Sequence, residues 1–340
     1  MSALMNDQNE LGRGYESALR EILLDVDQTS VMHWQRSYSS LDSYLASVRD
    51  NRARWSEVLA VPSSWQSDEE MEILPQDGPD EKIRVRMRPG LIVDAYFRPP
   101  AAPVPPPFPL VLFLHGIGGS AEMVMGRSDT VPPSYHGIGR HLAQEGFSVL
   151  APTLLNTFSS RNRIHRMALL LASSVWGLEV KAIRVLLDQA IRRLPIDPER
   201  IAVWGHSMGG AYTLYTLPLE ERCKAGVISA WFNRRPAKMV VQDPHYSCFL
   251  FTEEEHAFLP SLLTGFSDSD LVSLICPRPL LIQTGEQDSI SWPPLVEQEF
   301  RQAQLHYQKL GLEEKIRWDR HDGGHEINVS SGVKFLKKWM

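Results

Sequence analysis

One stretch decides the fold: Ile201-Ala202-Val203-Trp204-Gly205-His206-Ser207-Met208-Gly209-Gly210. Its first four residues are typical of a buried strand, and the residues after Gly209 favour a helix. Glycines on both sides of Ser207 permit a sharp reversal from strand to helix, because a Cβ atom there would collide with the crowded backbone. The stretch therefore predicts a strained serine exposed at a strand-to-helix turn. Gly-x-Ser-x-Gly arises by chance in roughly one chain in ten of this length, so the surrounding sequence decides its meaning.

The composition is that of an ordinary globular protein of 340 residues, with 35 basic and 41 acidic residues and a formal net charge of −6 at pH 7. This balance argues against a nucleic-acid partner. The longest apolar stretch, Met167 to Ala172, is too short to cross a membrane. Cys223, Cys248 and Cys276 are widely spaced and match no metal-binding pattern. Because Met1 to Glu10 lacks the basic and apolar regions of a secretory signal, we expect a cytoplasmic protein.

From Leu110 onward, short apolar runs typical of strands alternate with helical patterns. This alternation predicts a mostly parallel sheet covered by helices on both faces. An antiparallel hairpin precedes it and brings the expected sheet to about eight strands. The predicted strands are Ile83–Met87, Leu91–Phe97, Leu110–Leu114, Phe147–Ala151, Ile201–Trp204, Ala225–Ser229, Leu280–Thr284 and Lys315–Asp319.

Two amphipathic helical patterns lead the chain, and we interpret the polar stretch from Ser63 to Asp80 as a linker between them and the rest. We predict an N-terminal helical extension over residues 1–65 and a catalytic domain over residues 66–340. The extension has three possible roles: it packs on the flank of the sheet, which we favour, it caps the mouth of the site, or it forms a homodimer interface. The residues proposed for such an interface are Leu41, Leu45, Trp55 and Leu59.

Ser207 needs two partners to act as a nucleophile: a histidine that accepts its proton and a carboxylate that holds the histidine. Asp288 follows the predicted seventh strand, and His325 follows the eighth through two glycines. All three residues therefore lie at the carboxyl edge of the sheet, in the chain order Ser, Asp, His. Glu286 and His321 are the alternatives in the same two loops, and we prefer Asp288 and His325.

A serine nucleophile also needs N–H donors for the oxyanion of the tetrahedral intermediate. Met208 would supply one N–H as the residue after the nucleophile. The glycine-rich loop His115-Gly116-Ile117-Gly118-Gly119 follows the predicted third strand, and we assign the N–H of Ile117 as the second donor. His115 is expected to orient this loop. Such chemistry requires no metal and no organic cofactor.

With these motifs the chain resembles the α/β-hydrolase superfamily, and within it the branch of serine esterases that includes dienelactone hydrolases and acetyl xylan esterases. The resemblance spans roughly Leu91 to the C-terminus and implies an α/β-hydrolase fold with the triad Ser207, Asp288 and His325. Dienelactone hydrolases carry a nucleophilic cysteine, whereas this chain has Ser207. The motifs that carry the resemblance are His115–Gly119, Gly205–Gly210, Pro277-Arg278-Pro279 with Gly285–Asp288, and Asp322–Glu326.

Residues 231–270 interrupt the strand–helix rhythm between the predicted sixth and seventh strands, and we interpret them as a cap-like insertion. Aromatic residues there or close by are candidates for the substrate pocket, although we favour the alternative that most of them form the insertion's own small core. Several arginines are expected on the solvated surface rather than on a substrate carboxylate. The pocket candidates are Trp231, Phe232, Tyr246 and Trp292, and the arginines are Arg161, Arg163, Arg166, Arg234 and Arg235.

These features favour a serine hydrolase that cleaves a small or medium carboxylic ester through an acyl-enzyme on Ser207. The same triad also cleaves amides, so an amidase or peptidase is the alternative. A non-catalytic ligand-binding protein on this fold is less expected, because such a protein would have lost a triad member.

Overall fold

The computed structural model describes residues 2–26, 31–63, 65–88, 90–127 and 133–340. The strands, in chain order, are β1 (Gln66–Leu74), β2 (Glu81–Arg88), β3 (Leu91–Arg98), β4 (Phe108–Leu114), β5 (Ser148–Pro152), β6 (Ile196–His206), β7 (Ala225–Ser229), β8 (Leu280–Gly285) and β9 (Ile316–His321). They form a nine-stranded sheet in the order β1-β2-β3-β5-β4-β6-β7-β8-β9. In this order, the first three pairs, which join β1, β2, β3 and β5, are antiparallel. The remaining five pairs, from β5–β4 to β8–β9, are parallel.

Helices cover both faces of this sheet. In chain order they are α1 (Ser2–Leu24), α2 (Leu41–Val58), α3 (Ala121–Met125), α4 (Ile138–Gln144), α5 (Phe158–Leu169), α6 (Val175–Arg193), α7 (Met208–Thr216), α8 (Arg235–Val240), α9 (Leu262–Gly265), α10 (Asp268–Ile275), α11 (Pro293–Gln308) and α12 (Val329–Trp339). The central strands carry apolar segments that are buried on both faces: Leu110–Leu114 of β4 and Ile201–Trp204 of β6 are completely inaccessible.

The sheet has one strand more than the sequence predicted. The additional strand, β1, lies within the stretch from Ser63 to Asp80 that was interpreted as a polar linker, so that interpretation was wrong. β1 pairs antiparallel with β2 alone, at the edge of the sheet. Its acidic sequence conceals the period-two pattern of a strand, and charged residues are common on edge strands because they discourage pairing with another chain.

The two N-terminal helices pack very differently. Helix α2 begins after the N-cap Ser40 and buries Tyr44, Val48 and Trp55 in the main core. Because Trp55 and Leu59 are completely buried, they are not available for the dimer interface considered above. A homodimer through other residues stays a prediction, as does the domain division at residue 65.

Helix α1 lies on the outside, against the insertion. The guanidinium of Arg20 donates a hydrogen bond to the carbonyl of Val240, and Leu23 packs on the small apolar cluster of the insertion. No described helix is long and apolar enough to cross a bilayer. The cytoplasmic location stays a prediction.

The insertion between β7 and β8 contains α8, α9 and α10. Ser267 starts α10 with a capping box in which its hydroxyl and the carboxylate of Asp270 satisfy each other's backbone N–H groups. The insertion has its own apolar cluster of Met239, Val240, Phe249 and Ala257. It covers the carboxyl edge of the sheet, where the candidate site lies.

Candidate active site

Ser207 sits at the turn between β6 and α7. Its backbone angles, φ 55° and ψ −122°, are unfavourable for a residue with a side chain. A Cβ atom on Gly205 would collide with the carbonyl of Gly209, and one on Gly209 would collide with the carbonyl of Leu114. The packed backbone around the turn therefore requires glycine on both sides of the serine, as the sequence predicted.

The loops after β8 and β9 bring Asp288 and His325 together. His325 Nδ1 and Asp288 Oδ2 are hydrogen-bonded at 2.9 Å, and the Asp288 side chain is completely buried. The second carboxylate oxygen of Asp288 accepts the N–H of Ile290 at 2.9 Å. This pairing fixes the imidazole ring and leaves Nε2 as the nitrogen available to a reacting group.

The two alternatives in these loops have other surroundings. Glu286 is exposed and forms an ion pair with Arg320, which lowers the pKa of its carboxyl group. His321 ends β9, and neither of its ring nitrogens has a hydrogen-bond partner among the described residues. The backbone N–H of Glu286 donates to the His321 carbonyl, so these residues join the two loops through their backbones.

The loop after β4 lies directly beside Ser207: a Cβ atom on Gly116 would stand 3.0 Å from the Cβ of Ser207. The N–H of Gly116 donates to the Tyr135 hydroxyl at 2.8 Å, and that of Gly118 donates to the Asn156 carbonyl at 2.9 Å. Within the described parts of the chain, the N–H of Ile117 has no such partner.

One further N–H group and a buried histidine complete this side of the site. Met208 is the first residue of α7, so its N–H has no acceptor within the helix. His115 is completely buried, and its Nε2 accepts the N–H of Leu154 at 3.0 Å. Burial lowers the pKa of His115, which keeps the ring neutral and able to accept that hydrogen bond. It therefore holds the loop in place, as expected.

The motif analysis did not assign a role to His206 or Tyr135. His206 is buried, and its Nε2 donates to the carbonyl of His325 at 3.1 Å. Burial, followed by the proximity of His325, lowers the pKa of His206 to about 3. A neutral His206 thus ties the end of β6 to the His325 loop. Its only sequence signal was its position inside the Gly-x-Ser-x-Gly motif.

A cavity of about 290 Å³ opens above Ser207 and is walled mainly by the insertion. Of the four aromatic candidates, Trp231 is among its lining residues. The other three candidates are not among its lining residues. Phe232 points into the main core, Tyr246 is buried beside Lys238, and Trp292 stacks on His245 with ring centroids 4.8 Å apart.

Two arginines expected on the solvated surface are buried. Arg161 bonds to Glu179 at 2.6 Å and to the Tyr212 hydroxyl at 2.8 Å. Arg235 pairs with Asp268, and both side chains are about 3% exposed. Sequence spacing could not reveal these pairs, because each acid lies 18 or more residues away in the chain. No group of three or more metal-ligating side chains occurs in the described segments.

The topology and the site now allow comparison with known proteins. A family model for the alpha/beta hydrolase fold matches residues 109–267. The chain has the α/β-hydrolase fold. The resemblance to this superfamily is thereby confirmed.

Sequence and structure relatives agree with this fold. YtaP of Bacillus subtilis (strain 168), which is named as a hydrolase, is 28% identical over an alignment of 250 residues that covers 69% of this chain and 79% of YtaP. A structure named as an acetyl xylan esterase from Bacteroides fragilis superposes with a TM-score of 0.68 at 16% identity, over 89% of this chain and 81% of that one. A glucuronoyl esterase from Solibacter usitatus gives a TM-score of 0.64 at 14% identity, over 88% and 94%.

Proposed function

We propose that this α/β-hydrolase-fold protein is a serine hydrolase that cleaves carboxylic esters of small or medium size. The observation that carries the proposal is the hydrogen bond between His325 Nδ1 and the buried Asp288, at the same edge of the sheet as a strained serine on a cavity wall. The esterase names of the structural neighbours favour an ester over an amide.

The reaction would proceed through an acyl-enzyme. Ser207 Oγ attacks the ester carbon while His325 Nε2 takes the hydroxyl proton, and Asp288 stabilises the imidazolium that forms. The N–H groups of Met208 and Ile117 stabilise the oxyanion. The bond between the acyl carbon and the alcohol oxygen then breaks, and His325 returns the proton to the leaving alcohol. Water repeats these steps on the acyl-enzyme and releases the acid.

A fluorophosphonate probe tests the nucleophile directly, because it reacts covalently with an activated serine. We expect a label on Ser207 that is lost in Ser207→Ala, together with a fall of about 1,000-fold in kcat/KM for 4-nitrophenyl acetate. A wild-type protein without label on Ser207, or unchanged turnover in Ser207→Ala, would contradict the proposal.

The choice of acid has a matched control in the same loop. We expect Asp288→Asn to lower kcat by at least about 100-fold, because the amide no longer holds the imidazole in the tautomer that accepts a proton. Glu286→Gln makes the same change from carboxylate to amide at the residue directly after β8. The Glu286 carboxylate binds Arg320, so this variant should change kcat by less than about twofold. A larger loss of kcat in Glu286→Gln than in Asp288→Asn would assign the acid to Glu286.

The ester preference is tested with two substrates of the same acyl group. We expect 4-nitrophenyl acetate to be cleaved at least about 100-fold faster than 4-nitroacetanilide after correction for their uncatalysed rates. Comparable corrected rates would favour the amidase alternative.

A further inference from the structure

Three buried polar atoms on residues that line the Ser207 cavity have no hydrogen-bond partner among the described residues. They are the indole Nε1 of Trp231, the side-chain oxygen Oδ1 of Asn233 and the Nη1 of Arg235. Buried donors and acceptors in folded proteins are nearly always paired, because an unpaired one destabilises the folded state. All three side chains belong to the five-residue segment that follows β7 and Ala230, and all three residues line the same cavity.

The side chains that carry these atoms are held rigidly by their other contacts. Asp268 accepts the Nε–H of Arg235 and the backbone N–H of Asn233, both at 3.0 Å. The side-chain amide nitrogen of Asn233 donates to the Ser291 hydroxyl at 3.3 Å. The Arg235 guanidinium stacks on the Trp231 ring at 4.5 Å. Because these groups are already ordered, little conformational entropy is lost when a ligand pairs with them.

From this arrangement we infer that the cavity selects esters with a neutral, hydroxyl-bearing group next to the scissile bond. This inference rests on the proposed esterase function. A hydroxyl both donates and accepts, so two or three hydroxyl groups can satisfy the two N–H donors of Trp231 and Arg235 and the acceptor of Asn233. A purely apolar group would leave all three buried and unpaired.

A carboxylate would fit less well, because it can only accept hydrogen bonds and would leave Asn233 Oδ1 unpaired. Charge also disfavours an anion: the positive charge of Arg235 is already balanced by Asp268, and Glu253 and Glu254 line the same cavity. The remaining cation, Lys238, donates to two carbonyls and one hydroxyl of the protein. Its three N–H groups are therefore already in use.

The size and walls of the cavity set the scale of the group. About 290 Å³ is at the small end of ligand-binding cavities and holds a single six-membered ring with its substituents. Phe158, Trp231 and Phe249 provide apolar walls for the carbon skeleton. A hydroxylated ring presents both kinds of surface.

The test compares substrates of one ring size. On the alcohol side they are mono-O-acetylinositol, cyclohexyl acetate and 3-acetoxycyclohexanecarboxylate. On the acyl side they are methyl quinate and methyl cyclohexanecarboxylate. We expect kcat/KM for the hydroxylated member to exceed that of its unsubstituted partner at least about 10-fold in one of the two series, which also identifies the side of the ester that enters the cavity. Equal values in both series, or a preference for the acetoxycyclohexanecarboxylate over the inositol ester, would overturn the inference.

Two conservative variants then assign the preference to named atoms. Trp231→Phe removes the indole N–H but keeps an aromatic ring, and Asn233→Leu removes the amide at similar volume. Each variant should lower the ratio of kcat/KM for the hydroxylated substrate to kcat/KM for its unsubstituted partner about 3- to 10-fold, the loss expected for one or two hydrogen bonds. Trp339→Phe, the same exchange at the C-terminal helix, should leave the ratio unchanged. Ratios that do not fall in either variant would contradict the assignment.

Active-site titration with the fluorophosphonate separates this inference from the proposed function. Rates are expressed per reactive Ser207, so loss of folded protein does not change the ratio. A wild-type protein that is neither labelled nor active on 4-nitrophenyl acetate would refute the esterase proposal itself. A labelled, active enzyme without preference for the hydroxylated substrates would refute only this inference.

Discussion

At the scale of single residues, the turn at Ser207 makes a clear prediction about Gly209. The Cβ atom of Gly209→Ala would meet the carbonyls of Leu114 and His115, which are backbone atoms of the neighbouring strand and cannot rotate away. We expect the free energy of unfolding to fall by at least about 2 kcal/mol, because overpacking forces the backbone to move. Denaturant unfolding measures this loss of stability. We also expect the rate of fluorophosphonate labelling at Ser207 to fall.

Gly324→Ala is the matched control for this prediction. Gly324 also lies beside the candidate site, but the nearest atom to its added Cβ would be the Gln287 carbonyl at 4.0 Å, an ordinary contact. Its free energy of unfolding should change by less than about 0.5 kcal/mol. An equal loss in both variants would mean that the collision at Gly209 is not the cause.

The sequence predicted the candidate catalytic residues better than the pocket that surrounds them. Ser207, Asp288 and His325 each lie no more than four residues after the carboxyl end of a strand, so topology brings them to one edge. The pocket residues come from an insertion whose path depends on ion pairs such as Arg235 with Asp268, 33 residues apart. No periodicity encodes such a pair, and the positions of Phe232 and Tyr246 could not be derived.

At the scale of elements, the contact between α10 and α11 predicts a pH-dependent stability. Glu299 on α11 is buried and accepts the N–H of Ser269 at 2.7 Å. Burial, reinforced by the carboxylates of Asp268 and Asp270, raises the pKa of Glu299 to about 7 from an ordinary value of 4.5. Between pH 4.5 and 7 the folded protein therefore holds a proton that the unfolded chain has released, so stability falls as the pH rises through this range.

Glu299→Gln keeps an oxygen acceptor for Ser269 and removes the ionisable group. We expect it to be more stable than the wild type by on the order of 2 kcal/mol at pH 8, with little difference at pH 4.5. Denaturant unfolding at both pH values measures the effect. Glu297→Gln on the same helix, where the carboxylate pairs with Arg301, should change stability by less than about 0.5 kcal/mol at either pH. An equal effect of Glu299→Gln at the two pH values would contradict the assigned pKa.

Elements with strong hydrophobic periodicity were predicted, and those without it were missed. The buried parallel strands begin and end within about two residues of their predicted bounds, except that β6 begins five residues earlier than predicted. Strand β1 and helix α5 were missed because their polar sequences, Gln66–Leu74 and Phe158–Leu169, carry no continuous apolar face. Their positions depend on pairing and packing with distant parts of the chain.

At the scale of the whole molecule, the packing of α2 divides the N-terminal region into two parts with different roles. Trp55 contacts the rings of Tyr215 and Phe266, with centroids 5.1 and 5.2 Å away, and donates its indole N–H to the Tyr215 carbonyl at 3.0 Å. Tyr44 donates its hydroxyl to the carbonyl of Ser273 at 2.7 Å. Helix α2 is therefore part of the main core, whereas most of the large apolar side chains described in α1, from Leu11 onward, are exposed.

Two truncations test this division. Deleting residues 1–26 removes α1 and should lower the thermal unfolding midpoint by less than about 3 °C, because few buried contacts are lost. Deleting residues 1–62 also removes α2 and exposes the core around Tyr215. We therefore expect aggregation, or a fall of at least about 5 kcal/mol in the free energy of unfolding, which is more than the cost of truncating a single buried tryptophan. Light scattering and denaturant unfolding measure both. A stable, folded protein after the longer deletion would show that residues 1–65 form an extension that the rest of the chain does not need for folding.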